Sequence, residues 1–434
     1  MSPLSIIICV LGLGILAAAH EIGHFLVAKR LGIKVEELSI FIGPSLFSWK
    51  RKDVSYHIRL IPFGAYVRFP GLDEEDGGIS NPDSYFNQPR WKRLLVALAG
   101  PFTNLVLGII IFAAIFSAFG FLSTNLDTVF DGTQIADTQA KQGDSILYMN
   151  GQRVFTQLDL SYVLFNVPDK DPLMMTLLSK ETGKSYDIEL TPVITSKYRL
   201  GITVLSELDG NKGMAIVDVD PSQNNSNPVL KKGDSLLAVN GIAVDDPAYA
   251  NVVSGSEGNM LTATIIRDGV KQDVKLTATI FETANPRGIY LLPGEGIGSL
   301  LRESVLYSFS IIKVSILSLR DVANGTIAAQ DAVAGPVGIA TIVSDVVDQP
   351  ETDNTQKLEN LGILAGLISV GLAFSNLLPL PGLDGNAMVL VVVEMIRGKK
   401  LSLKTERVIN AIGFVVLIAL VLFALSSDIL RLVG

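Results

Sequence analysis

Four apolar stretches, at about residues 3–27, 94–122, 361–396 and 408–427, approach the length needed to cross a bilayer. Backbone inside hydrocarbon must satisfy its own hydrogen bonds, so such runs fold as spanning helices. Hydrophobic residues make up 48% of the 434 and charged residues only 18%, which argues against a soluble globule. The net charge of −8 leaves no electrostatic footprint for nucleic acid. The single cysteine, Cys9, lies in the first run, so there is no disulfide framework. No Lys or Arg precedes Lys29, and the first run therefore reads as a retained span rather than a signal peptide.

That first run holds His20-Glu21-Ile22-Gly23-His24. Two histidines at i and i+4 lie on one helix face, where both can bind one Zn²⁺. The Glu between them can then take a proton from water activated by the metal. Only 3 histidines occur in the chain, and two of them stand here. Ionisable side chains inside a span are costly, so this cluster is a functional site by default. The bland alternative is a pair of packing histidines with a stray Glu.

Basic residues near the ends of the runs set orientation. Lys29, Arg30, Lys34, Arg90, Lys92 and Arg93 lie between the first and second runs, and Arg397, Lys399 and Lys400 between the third and fourth. Both connections should be cytoplasmic, which puts the long segment after residue 122 outside and the histidines in the inner half of the first span. Alternation in Val54-Ser55-Tyr56-His57-Ile58-Arg59-Leu60 predicts a β-hairpin or small sheet over about 35–70, beside the metal site on the cytoplasmic face. His57 falls in it and reads as a strand histidine, with metal ligation the sharper alternative.

The outer segment contains a repeat. Gly143-Asp144-Ser145-Ile146-Leu147-Tyr148-Met149-Asn150-Gly151 recurs as Gly233-Asp234-Ser235-Leu236-Leu237-Ala238-Val239-Asn240-Gly241. Gly-Asp makes a turn, the apolar residues a short strand, and Asn-Gly a tight hairpin. This resembles PDZ domains in tandem; two generic β-rich domains are the plainer reading. The sequence thus predicts a polytopic α-helical membrane protein with four transmembrane helices, a membrane-associated β-hairpin or sheet and two β-rich PDZ-like domains. Its segments are 1–122 (two spans and the β element), 123–203 and 204–292 (the two repeats), 293–358 (amphipathic surface helices and a loop) and 359–434 (the third, broken, span and the fourth).

A catalytic zinc takes three protein ligands and keeps one open position. Asp384 is the best third candidate. It sits in an apolar stretch interrupted by Pro379, Pro381 and Gly382, where a broken helix frees the carboxylate to aim at a metal. Its bland reading is as a cap of the second half-helix. Glu21 would serve as general base and then as acid toward the leaving amine. Asn376 is a candidate oxyanion donor, or a holder of extended substrate backbone, or a helix-packing Asn.

His20-Glu21-Ile22-Gly23-His24 in a first span resembles the site-2 protease family of intramembrane zinc metalloproteases. Asn376-Leu377-Leu378-Pro379-Leu380-Pro381-Gly382-Leu383-Asp384-Gly385 is similar to that family's second motif, whose aspartate is the third ligand. Ala99-Gly100-Pro101-Phe102-Thr103-Asn104 and Gly335-Pro336-Val337-Gly338-Ile339 are also family-like. The tandem repeat makes the chain most similar to the bacterial regulator-of-sigma-factor proteases. The family often has Gly-His or Gly-Arg where this chain has Asn386-Ala387. The resemblance implies Zn²⁺ as cofactor, with His20, His24 and Asp384 as ligands and Glu21 catalytic. It implies single-pass transmembrane substrates such as anti-sigma factors, and signal-peptide remnants, met among membrane lipid after a first cut outside. It places the protein in the inner membrane, with the repeats extracytoplasmic and the active site toward the cytoplasm. A catalytically inactive scaffold and a metal or ion transporter are the competing readings.

Overall fold

The computed structural model describes residues 1–71, 81–208, 213–332, 335–350, 352–401 and 403–433. They form two compact units, one of residues 1–124, 154–162 and 292–434, the other of residues 125–153 and 163–291.

The first unit is built on helices. Helix α1 covers Pro3–Arg30 and α2 Arg90–Phe119; α3 is Ile297–Ala323, α4 Pro336–Val347, α5 Asn354–Leu377, α6 Asp384–Arg397 and α7 Leu403–Val433. Ser2 caps α1, its hydroxyl accepting from the Ser5 N–H at 3.2 Å, with Pro3 just inside. Helices α1, α2, α5 and residues 411–431 of α7 are long and apolar enough to cross a membrane. The third apolar stretch is broken as its prolines predict. Helix α5 stops at Leu377, Gly382 takes a φ of +97°, and α6 begins at Asp384.

Two buried carboxylates tie these helices together. Arg93 of α2 meets Glu394 of α6 at 2.9 Å, with both side chains almost fully buried. The pair anchors α6, whose first residue is Asp384, against α2. Removing one member of a buried ion pair strands the other charge and costs about 3–5 kcal/mol. Glu394→Ala should therefore lower the unfolding midpoint of the full chain in detergent clearly; an unchanged midpoint would show that the pair contributes nothing. On α7, Asp428 accepts from the N–H groups of Gly335 at 3.1 Å and Gly338 at 2.8 Å, filling the N-terminal donors of α4.

Strands β1 (Glu37–Arg51) and β2 (Val54–Arg68) form the expected hairpin. The ribbon folds back on itself: residues 37–40 pair with 55–58 on one side and with 65–68 on the other. Residues 65–68 thus form an edge of the sheet. The Arg68 carbonyl accepts from Glu36 inside the sheet. Alternation along a strand then turns the backbone groups of Val67 outward.

The second unit is β-rich. Its repeated turns are built alike. Asn150 (φ +46°) and Asn240 (φ +49°) each precede a glycine with positive φ, the geometry that Asn-Gly hairpin turns require. The Asn150 side chain accepts from Met174 N–H at 2.9 Å, and that of Asn240 from Thr262 N–H at 2.8 Å. Asp144 and Asp234 likewise each accept from the backbone N–H three residues earlier, at Lys141 and Lys231. Burial opposes their ionisation, but Tyr186 beside Asp144 and Arg267 beside Asp234 hold both below the usual carboxylate range. In the second repeat, strands 270–277, 260–267, 235–239, 214–219 and 202–208 lie side by side in that order. Residues 194–199 and 279–284 pair as a separate antiparallel ribbon.

Candidate metal centre

Spacing alone brings His20 and His24 to one face of α1; the tertiary fold brings Asp384 to meet them. His20 Nε2 lies 2.9 Å from Asp384 Oδ2, and His24 Nε2 lies 3.4 Å from Asp384 Oδ1. The two Nε2 atoms are 3.1 Å apart. Ligands about 2.0–2.1 Å from a tetrahedral zinc stand roughly 3.3 Å from one another, so the three donors are spaced as such an ion needs. Asp384 occupies the first position of α6, yet its carboxylate turns to the histidines while Leu383 holds the cap position with no side-chain cap bond. The capping alternative is not what the geometry shows.

Gly100 of α2 packs directly against the two imidazoles. A Cβ there would stand 2.4 Å from His24 Nε2 and 2.5 Å from His20 Nε2. Only a glycine lets the α2 backbone pass this close to both imidazoles. Close approach of α1 and α2 requires Gly23 as well, where a Cβ would meet Thr103 Oγ1 at 2.3 Å and the Ala99 carbonyl at 2.7 Å.

The surrounding shell is ordered. His24 Nδ1 lies 2.7 Å from the Val96 carbonyl, which makes Nδ1 the protonated nitrogen and leaves the Nε2 lone pair free. Glu21 Oε2 accepts from the Val67 N–H at 3.1 Å, so the hairpin edge abuts the candidate base. His20, Glu21, Asn104, Asn376 and Asp384 line one cavity of about 270 Å³. Asn376 is thereby placed at the site, 8 positions before Asp384 on the other side of the break. His57 is elsewhere: its Nε2 is 3.6 Å from Glu37 Oε1 and its Nδ1 3.3 Å from Ser45 Oγ, so it belongs to the hairpin.

The family model of peptidase family M50 matches residues 8–420. A zinc metalloprotease RasP of Geobacillus kaustophilus is 24% identical over 447 residues, covering 98% of this chain and 97% of its own length. A zinc metalloprotease RasP of Oceanobacillus iheyensis is 24% identical over 459 residues, covering 99% of each. Fold and matches together define a membrane metallopeptidase. The chain belongs to peptidase family M50, the site-2 proteases, and is a zinc metalloprotease of that type. The transporter reading is thereby set aside.

Proposed function

We propose that this chain is an intramembrane endopeptidase whose zinc is held by His20, His24 and Asp384 and whose general base is Glu21. The observation that carries the assignment is the mutual approach, at 2.9, 3.4 and 3.1 Å, of the His20 and His24 Nε2 atoms on α1 and the carboxylate of Asp384, the first residue of α6. Bound there, zinc supplies a Lewis acid that polarises a peptide carbonyl and acidifies water. Glu21, on the same cavity, accepts the proton from the attacking water and delivers it to the departing amine. Asn376 lines the cavity with an amide that can donate to the developing oxyanion or to substrate backbone.

A substrate helix hides its amides in internal hydrogen bonds and must unwind to be cut. The edge at residues 65–68 suits the unwound segment because it lies beside Glu21, which holds the outward Val67 N–H until substrate backbone replaces it. Exposed Phe47, Trp49 and Phe63 fit a hairpin that dips into lipid. Basic residues at the ends of α1 and α2 and after α6 favour a cytoplasmic location for these connections, with the site in the inner half of the bilayer. The β-rich unit then lies outside, as two PDZ-like domains; a cavity of about 840 Å³ between helix Tyr249–Ser254 and strand Ile202–Leu208 in the second repeat supports that reading. The substrates are single-pass membrane proteins such as anti-sigma factors, and signal-peptide remnants, shortened by an earlier cut outside.

The test is Asp384→Ala in the full chain, reconstituted with a tagged single-pass substrate. The variant should lose both bound zinc and cleavage. Retention of stoichiometric zinc would remove Asp384 from the ligand set, and cleavage at the wild-type rate would remove the mechanism.

A further inference from the structure

His24 has a partner that fixes its ring, the Val96 carbonyl. His20 needs one too. If Nε2 is to hold a metal, Nδ1 carries the proton, and in a buried site that N–H requires an acceptor. The group facing His20 Nδ1, at 3.4 Å, is the side-chain amide of Asn104 on α2. Asn104 is fully buried, and its Oδ1 has no hydrogen-bond partner. Its Nδ2 end is turned toward the ring, an arrangement that suits only the tautomer whose Nε2 is protonated. The two ends of an amide have the same shape, and their assignment follows from the hydrogen bonds they make. A half-turn of the amide sets Oδ1 against His20 Nδ1 and gives the orphaned oxygen a donor. Buried polar atoms without partners are rare, and each calls for a physical reason. Here the reason is the tautomer of a metal ligand.

We propose that Asn104 is a positioning residue: with zinc bound, its Oδ1 accepts from His20 Nδ1–H, fixing the tautomer and ring angle that aim Nε2 at the ion. The inference rests on His20 being a ligand. It also explains why Gly100 and Asn104 are one helical turn apart. The glycine makes room for both imidazoles against α2, and the asparagine, on the same face, orients one of them. The Asn104 carbonyl meanwhile accepts from Ser369 Oγ of α5 at 2.8 Å, which pins this turn of α2 in place.

The experiment measures zinc affinity of the purified full chain by chelator competition, alongside the visible spectrum of the Co²⁺-substituted form. Loss of an outer-shell partner of this kind weakens metal binding about 10–100-fold. Asn104→Ala should show that loss and an altered Co²⁺ spectrum. Asn104→Asp keeps an acceptor and removes the donor, so it should restore affinity and spectrum toward wild type. Wild-type affinity in Asn104→Ala, or equal loss in Asn104→Asp, would overturn the inference. Should Asn104→Ala fail to fold, Asn104→Asp decides alone by the same criterion. His20→Ala in parallel separates the two claims: retention of zinc there defeats the ligand assignment itself, whereas loss there with no effect at Asn104 defeats only the positioning role.

Discussion

Glu21→Gln should bind zinc as the wild type does and cleave its substrate at least ~10²–10⁴-fold more slowly, the range that a positioned general base contributes. The substitution is isosteric, and a glutamine oxygen can still accept from the Val67 N–H, so the contact between α1 and the hairpin edge survives. None of the three proposed ligands is touched. What disappears is the carboxylate that takes the proton from water and returns it to the amine. Metal analysis and a reconstituted cleavage assay on the same preparation check this. Wild-type cleavage would show that Glu21 is not the base; lost zinc would show that it is a ligand instead. The second outcome has a structural motive, since the carboxyl oxygens and imidazole nitrogens of His20, Glu21 and His24 lie within 4.8 Å of one another. Against it stands Asp384, already closer to both imidazoles at 2.9 and 3.4 Å.

The sequence made some of this site legible because helical geometry is local. Positions 20 and 24 share a face whatever surrounds them, and Pro379 and Pro381 break a helix wherever it packs. Asp384 could be picked out because a carboxylate in an apolar stretch needs a partner. The hairpin was legible from alternation, but its fold-back was not. Pairing of residues 37–40 with two different segments depends on register, which alternation leaves open. Arg93 is a further case. In the sequence it is one of several basic residues that orient the chain, yet in the fold it is buried against Glu394. Only contact between α2 and α6 distinguishes it from Arg90 and Lys92. Asn104 did leave a signal, an amide in the middle of an apolar run, but nothing local says which neighbour it serves. Gly100 was marked only by the family-like run 99–104; glycine is frequent in membrane helices, and its meaning here lies in what two residues of another helix do opposite it.

That meaning yields a sharp expectation. Gly100→Ala should abolish zinc binding and proteolysis although it alters no ligand and no base. The added methyl would lie 2.4 Å from His24 Nε2, 2.5 Å from His20 Nε2 and 2.7 Å from His20 Cε1, distances at which real Cβ atoms do not sit. Helix α2 cannot absorb the methyl by shifting closer to α1, because the Gly23 contact with Thr103 and Ala99 is already at its limit. Either the imidazoles rotate away or the helices part, and both displace the lone pairs that face the ion. The loss should exceed the ~10–100-fold seen when only an outer-shell partner is removed. Helix formation itself does not suffer, since Ala is favoured over Gly by about 1 kcal/mol within a helix. Gly12→Ala on α1 is the matched control: a Cβ there meets nothing within 4 Å, so zinc content and cleavage should stay at wild-type levels. Wild-type zinc in Gly100→Ala would mean that the imidazoles keep their places despite the added methyl. Equal damage from Gly12→Ala would mean that any added methyl disturbs these helices, and the steric argument for Gly100 would fall.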